Sequence, residues 1–349
     1  MNTESVNTER LAIQRITRDI SDGLLYIDNS GTVLYVNPSA VRILGSDALA
    51  EGVKYAEYMA ADENSANDGF HQYILDSIYD KGTSHTGTVT YTRPDGSVRW
   101  FSISASYAFS EDGSRKFGVI LQFSDITELH ETRIKREDTV KVLVDLLAIT
   151  AVWNYVYMIW KVTGEPIPSS ALTMIIEVIG VISTAFALRY TSITWKDFGL
   201  GTENLKKVLV DDTILTLCII ALMIVIKWIL RHFFPNIVNP AEPFFHWDRL
   251  DAKDLIYIVT VVLQEFLTRG VVQGSLDRVL PEHYPPAISI IISSLFFGAL
   301  HLHKGLVFMV GAAVLLSFFG VIYRKQKTIW GLCIPHLFLS WSLVVIWGM

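Results

Sequence analysis

The sequence predicts an α+β soluble domain followed by an all-α polytopic transmembrane helical bundle of about seven spans. Half of the 349 residues are hydrophobic (51%), and the mean hydropathy is +0.36. Residues 1–138 hold 13 Lys and Arg against 21 Asp and Glu, a net charge of −8, whereas the remainder holds 16 against 14, a net charge of +2. Apolar runs of spanning length occur in the second part. The acidic soluble part argues against nucleic-acid binding, which needs a basic surface.

The first hairpin of the soluble part is predicted at residues 24–27 and 33–36, with Gly31 in the turn. Asn37 then caps a short helix that has Pro38 at its first position.

A second hairpin is predicted at residues 86–92 and 98–107, with a turn at Gly96, and a last strand at residues 117–123. Short helices on one side of an antiparallel sheet are typical of an α+β domain.

This order of elements over residues 13–128 resembles a PAS domain, and Asp125, Ile126 and Thr127 resemble the motif that closes the family's fold. The resemblance predicts a sensor domain at residues 1–128, able to dimerise. It also implies that Asp125 ties the last strand to the outgoing helix. The PAS ligand is unknown, and a packed core without a ligand is the alternative.

Two cofactors are disfavoured for the PAS domain. Its residues include no cysteine for a flavin adduct, and His71 and His85 are expected to be surface residues on polar loops rather than haem ligands. No cofactor is predicted for the membrane domain either.

Residues 129–141 are charged, with apolar residues interleaved, and predict a signalling helix that leads into the first span. A solvated linker helix is the alternative, because the segment is too short to require a coiled coil.

The membrane domain is predicted at residues 142–349, and the apolar runs place seven spans. They lie near residues 140–160, 168–188, 208–230, 254–276, 286–303, 306–323 and 328–348.

The N-terminal residues lack an apolar signal segment. With a cytoplasmic N-terminus, twelve Lys and Arg residues near the ends of the spans lie on the cytoplasmic side and six on the opposite side. This bias agrees with the positive-inside rule. We therefore expect a multi-pass protein of the inner (plasma) membrane with a cytoplasmic PAS domain.

Charged residues lie within one of the apolar runs. Gln264, Glu265 and Arg269 lie within the fourth predicted span, and Glu265 and Arg269, four residues apart, share a helical face. Each charge at membrane depth costs at least ~2.5 kcal/mol, which makes such residues functional candidates.

Three later polar residues belong with this stretch. His301 ends the fifth predicted span, and His336 and Ser340 share a face of the last. These positions, with the amphipathic stretch at residues 195–200, resemble the CPBP family over residues 195–345. This family comprises membrane endopeptidases of the CAAX-processing and bacteriocin-protection type, also called Abi, with motifs E-E-x-x-x-R, F-x-x-x-H and H-x-x-x-N/D.

The resemblance implies a water-activating glutamate at position 264, an assisting histidine at 301 and an oxyanion-supporting pair at 336 and 340. Two positions depart from the family, because the chain has Gln264 and Ser340 there. An amide can orient water but cannot accept its proton.

Two hypotheses remain. In the first, the substitutions at positions 264 and 340 have made the site inactive, and the domain binds a peptide, a lipid or a protein partner without cleaving it. In the second, Glu265 acts as base with His301, and His336 with Ser340 supports the oxyanion, which requires a distorted helix because neighbouring residues point ~100° apart.

The expected partners are the lipid bilayer and a peptide or protein in the membrane, with a PAS homodimer possible. No metal is predicted, although Glu265, His301 and His336 are ligand types for one. Glu177, near the middle of the second span, is a further polar residue of functional interest.

Overall fold

The computed structural model describes residues 15, 17–62, 64–79, 85–110, 112–281, 283–301 and 305–348. Residues 1–14 of the predicted PAS domain and residues 302–303 of the fifth predicted span lie outside these ranges. Packing divides the chain into two units, Met1–Arg133 and Ile134–Met349. The boundary falls within the segment 129–141 that the sequence marks as a linker.

The first unit contains one antiparallel sheet of five strands in the order β2-β1-β5-β4-β3. This sheet and its two hairpins confirm the α+β prediction. The strands are β1 (Gly23–Asp28), β2 (Val33–Val36), β3 (His85–Thr92), β4 (Val98–Phe109) and β5 (Lys116–Asp125).

Among the named helices of the described residues, three α-helices accompany the sheet: α1 (Pro38–Leu44), α2 (Tyr55–Ala61) and α3 (Asp68–Tyr79). As predicted, Asn37 caps α1, and its Oδ1 accepts a hydrogen bond from the Ala40 amide at 2.9 Å.

Aromatic rings fill the space between α3 and the sheet. The ring of Phe70 lies 5.0 Å from that of Tyr91, 6.0 Å from that of Phe101 and 6.1 Å from that of Phe123, measured between centroids. Phe70, Phe101 and Phe123 are completely buried. These residues therefore pack as the hydrophobic core of the PAS fold.

The expectation that His71 lies on a surface loop is wrong. His71 is buried within α3, where its Nδ1 lies 2.8 Å from the Tyr55 hydroxyl and its Nε2 lies 3.0 Å from Asp62 Oδ2. Burial opposes ionisation of Asp62, but its hydrogen bonds with Asn67 and His71 outweigh it and lower the pKa of this carboxyl. Polar flanking residues hid the apolar face of this helix.

Asp125 joins the end of β5 to the start of the next helix. Its Oδ1 accepts hydrogen bonds from the Thr127 amide at 3.1 Å and the Thr127 hydroxyl at 2.5 Å. Its Oδ2 lies 3.5 Å from Arg93 and 3.9 Å from Arg99. The Thr127 hydroxyl oxygen in turn accepts the Trp100 amide at 2.9 Å. Asp125 thus has the linking role that the PAS resemblance implied.

Helices make up most of the second unit. They are α4 (Thr127–Val162), which starts in the first unit, α5 (Ser169–Leu188), α6 (Leu205–Phe233), α7 (Ile256–Glu265), α8 (Gly274–Val279), α9 (Ala287–Ala299), α10 (Leu306–Gln326) and α11 (Cys333–Trp347).

Five helical segments in the described residues are long and apolar enough to cross a membrane: α4, α5, α6, α10 and the continuous stretch Ile256–Val279. The other two predicted spans coincide with the shorter apolar helices α9 and α11. The structure therefore agrees broadly with a polytopic bundle, but it does not confirm seven spans.

The stretch Ile256–Val279 changes its helical geometry in the middle. A π-helical segment, Phe266–Gln273, connects α7 to α8 directly after Glu265. π-Helical turns are rare and occur often at functional sites. The distortion changes the directions of the side chains that follow Gln264 and Glu265.

The stretch at residues 195–200 packs against this π segment. Trp195–Phe198 forms a 3-10 helix, and a Cβ placed on Gly270 would lie 2.3 Å from the Phe198 carbonyl oxygen. The Gly199 carbonyl accepts the Ile329 amide at 3.0 Å. Residues 195–200, the π segment and Ile329 therefore meet here.

Replacing Asp125 with Ala should loosen the first turn of α4, because it removes the acceptor of both Thr127 hydrogen bonds. We expect faster hydrogen–deuterium exchange around residues 125–133 of the full chain. Asp95→Ala is the control, because Asp95 accepts only a local turn bond from Ser97. Equal exchange in the two variants would contradict the linking role.

Replacing Gly270 with Ala should destabilise the second unit by ~1–3 kcal/mol, because the Phe198 carbonyl leaves no room for a methyl group. Gly311→Ala is the control, since a Cβ there meets nothing within 4 Å. Thermal unfolding in detergent should show a lower midpoint for Gly270→Ala and an unchanged or higher one for Gly311→Ala. Equal midpoints would contradict the close approach.

Candidate active site

A buried carboxylate and an imidazole meet between α7 and α11. Glu265 Oε1 lies 2.6 Å from His336 Nδ1, and the Glu265 side chain is 1% exposed. The other carboxylate oxygen lies 3.9 Å from Nε of Arg269. Glu265 therefore has a basic group on each side, which offsets the cost of burying its charge.

The guanidinium of Arg269 crosslinks helices. It donates to Gln273 Oε1 at 2.7 Å, to the Leu316 carbonyl at 2.7 Å and, more weakly, to the Ser293 hydroxyl at 3.4 Å. These partners lie on the π segment, α9 and α10, and Arg269 is completely buried. The arrangement indicates that Arg269 supports the packing of the site rather than contacting a substrate.

Gln264 has a different partner from its neighbour Glu265. Its amide nitrogen donates to Oε1 of Glu177 on α5, at 2.7 Å. The other carboxylate oxygen of Glu177 has no hydrogen-bond partner among the described residues. The amide of Gln264, which stands where the family has a glutamate, therefore contacts the carboxylate of Glu177 on another helix.

A cavity adjoins this contact. Its walls come from α4, α5, the region around the π segment and α9, and most of the wall residues are apolar. Its polar wall residues are Thr150, Thr173, Glu177, Gln264, Thr268 and His301. The site thus combines an apolar enclosure with a few converging polar groups, which is typical of a binding cavity.

A second cavity shares Thr173, Gln264 and His301 with the first. Tyr257 lines it, and the Tyr257 hydroxyl lies 3.1 Å from Ser340 Oγ and 3.3 Å from His336 Nε2. Ser340, which has a shorter side chain than the family's Asn or Asp, therefore reaches this cavity through Tyr257.

His301 lies at the end of α9, and its ring is held by its own helix. Nδ1 donates to the Phe297 carbonyl at 3.0 Å, and the ring stacks on that of Phe308 with 5.7 Å between centroids. In the neutral ring a proton on Nδ1 leaves Nε2 as the acceptor nitrogen.

The structure thus divides the sequence-predicted residues into two groups. It joins Glu265 to His336 and Arg269, and it places Gln264 and His301 on one cavity wall. The structure does not show the expected pairing of Glu265 with His301. The ion-pair partners of Glu265 among the described residues are His336 and Arg269.

Sequence reasoning missed Tyr257. A signal was present, because Tyr257, Thr260 and Gln264 are spaced as i, i+3 and i+7 and so share one helical face. All three line the second cavity.

Within the described ranges, no group of three or more His, Cys, Asp and Glu side chains is arranged to hold a metal ion. The three residues that the sequence offered as ligand types are separated in the structure. Glu265 and His336 form the buried pair, and His301 lies on the cavity wall.

Comparisons with known proteins identify both parts of the chain. Residues 21–128 match the family model of the PAS domain, and residues 255–342 match that of the type II CAAX prenyl endopeptidase Rce1-like family. The signal transduction histidine-protein kinase AtoS of Escherichia coli is 27% identical over 180 residues. That match covers 48% of this chain but only 28% of AtoS.

Similar solved structures are PAS domains. The PAS domain of Bordetella pertussis BvgS is 19% identical, with 37% of this chain and 94% of that chain covered and a TM-score of 0.30. A PAS domain from Colwellia psychrerythraea is also 19% identical, with 34% and 98% covered and a TM-score of 0.27.

The family models, together with the five-stranded sheet and the apolar helices, establish the two parts of the molecule. The chain therefore carries a PAS domain at residues 21–128 and, at residues 255–342, a domain that matches the type II CAAX prenyl endopeptidase Rce1-like family.

Proposed function

We propose that this chain is a PAS-regulated intramembrane endopeptidase that cleaves a membrane-associated peptide, with prenylated peptides as the first class to test. The observation that carries the proposal is the cavity shared by Gln264 and His301. It lies next to the buried Glu265–His336 pair and within the family's characteristic sequence region. Peptide-bond hydrolysis needs a positioned water, a base and donors for the developing oxyanion.

Each requirement has a candidate residue. Gln264 and His301 line the cavity where a water would be oriented. Tyr257 lines the adjoining cavity, and its hydroxyl contacts His336 and Ser340. A tyrosine hydroxyl can donate a hydrogen bond to an oxyanion, and its contacts with two other helical side chains fix its position.

The apolar walls suit a lipid-modified substrate. The first cavity has apolar wall residues from four helical segments: Ile149, Trp153, Ile176, Leu267 and Phe297. Burying an isoprenoid chain there would gain free energy at ~25 cal/mol per Å² of apolar surface. An unmodified peptide would lack that contribution and bind more weakly.

Regulation by the PAS domain would act through α4. This helix begins at Thr127, which is bonded to Asp125, and its later residues Ile149 and Trp153 form part of the cavity wall. We propose a cytoplasmic PAS domain and an inner-membrane location, on the basis of the positive-inside bias and the spanning helices. A displacement of α4 would change the shape of the cavity.

A non-catalytic receptor is the second candidate. Gln264 stands where the family has its base, and the Glu265 carboxylate is engaged by His336 and Arg269. Such a protein would bind the same peptide in the same cavity and transmit a PAS signal without cleaving a bond.

The enzyme proposal predicts that membranes containing the full chain cleave a farnesylated peptide with a CAAX-type end faster than the same peptide without the farnesyl group. Replacing His301 with Ala should lower kcat by up to ~100-fold, because it removes a side chain that would orient the water, and a misplacement of about 1 Å can cost that much.

His283→Ala is the matched control, because His283 is an exposed histidine of the same unit and should leave cleavage unchanged. Peptide binding without cleavage in the wild-type protein would favour the receptor instead. Equal cleavage by His301→Ala and wild type would contradict the role of the cavity.

A further inference from the structure

The carboxylate of Glu177 is buried in the membrane unit with half of its hydrogen-bonding capacity unused. The residue lies on α5 and is 5% exposed. Oε1 accepts from Gln264, whereas Oε2 has no partner in the part of the chain that the structure describes. A buried polar atom without a partner is costly, and the cost is larger for an ionisable group at membrane depth.

This carboxylate is also on the cavity wall. Among the described residues that line the cavity, Glu177 is the acidic one, and it shares the wall with Gln264, Thr268 and His301. Because Oε1 is taken by Gln264, Oε2 is the atom left to contact a molecule in the cavity. A water there would lie beside a carboxylate oxygen and near an imidazole.

The two other side chains considered as bases are less suited. Gln264 is an amide and cannot take a proton from water at neutral pH. Glu265 is directed to His336, at 2.6 Å, and to Arg269. Glu265 is also not among the described residues that line the two cavities.

We propose that Glu177 is the general base of this site, so that the carboxylate absent from position 264 is supplied by the second membrane helix. The inference rests on the proposed peptidase function. Gln264 then has a positioning role, because its amide nitrogen holds one carboxylate oxygen and leaves the other for water.

The chemistry balances with these residues. Glu177 takes a proton from water, and the resulting hydroxide oxygen bonds to the scissile carbonyl carbon. The tetrahedral oxyanion accepts a hydrogen bond from the Tyr257 hydroxyl. The C–N bond then breaks, and the proton held by Glu177 passes to the leaving nitrogen, which gives a carboxylic acid and an amine.

A purely structural role would make Glu177 an acceptor that joins α5 to α7. Glu177→Gln separates the two roles, because the amide oxygen of Gln still accepts from Gln264 but cannot act as a base. Asp212 provides a matched control. It is a buried carboxylate that accepts from the Gln326 amide at 2.8 Å, and its Oδ2 has no partner among the described residues. It does not line the described cavity that Glu177 lines.

The experiment measures kcat and KM for the farnesylated peptide, together with thermal stability, in wild type, Glu177→Gln, Glu177→Asp and Asp212→Asn. We expect Glu177→Gln to lower kcat ~100-fold or more with KM and stability close to wild type, because it removes only the proton acceptor. Glu177→Asp should retain part of the activity, and Asp212→Asn should retain nearly all of it.

Wild-type kcat in Glu177→Gln would overturn the assignment while leaving the peptidase function intact. Loss of the folded state in Glu177→Gln, with full activity in a folded Glu177→Ala, would also overturn it. Cleavage absent in wild type but present in Gln264→Glu would contradict the peptidase function itself, because the base would then be missing rather than moved.

Discussion

The membrane unit depends on the burial of Glu265 between His336 and Arg269. A carboxylate that is 1% exposed needs compensation at this depth, and it receives it from an imidazole at 2.6 Å and a guanidinium at 3.9 Å. Arg269 extends the network to α9 and α10 through Ser293 and the Leu316 carbonyl. One charged cluster therefore fixes the mutual positions of four helical segments.

That arrangement determines what Gln264 can do. Because adjacent helical residues point ~100° apart, the helix that directs Glu265 to His336 directs Gln264 elsewhere, toward Glu177 and the cavity. The π segment that begins after Glu265 packs closely against Phe198, and Gly270 is the residue that permits this contact. The structural charge cluster and the cavity thus lie on different faces of one helix.

Much of this organisation could be predicted from the sequence. Alternating apolar residues and turn residues such as Gly31 and Gly96 predict the sheet, and Asn37 and Pro38 predict the start of α1. The resemblance of Glu265, Arg269, His301 and His336 to the CPBP motifs implies the site region. His71 could not be placed, because a polar stretch such as Asp68–Gln72 hides which face of a helix is buried.

Contacts between distant helices were also beyond prediction. Glu177 and Gln264 are 87 residues apart, and no periodicity within either helix indicates that their side chains meet. The same holds for Tyr257 and Ser340, which are 83 residues apart. The π segment is a further case, since nothing in the sequence of Phe266–Gln273 indicates a π-helical turn or its close approach to Phe198.

Under the assignment of Glu177 as general base, catalysis requires a carboxylate on the cavity wall. Glu177 supplies it, and a glutamate at position 264 would supply it as well. The most direct measurement is kcat of the double variant Glu177→Gln/Gln264→Glu on the farnesylated peptide, compared with Glu177→Gln alone. We expect the double variant to recover most of the activity that Glu177→Gln loses, because the carboxylate and the amide have only exchanged helices. A folded double variant that binds the peptide and is as inactive as Glu177→Gln would contradict this claim.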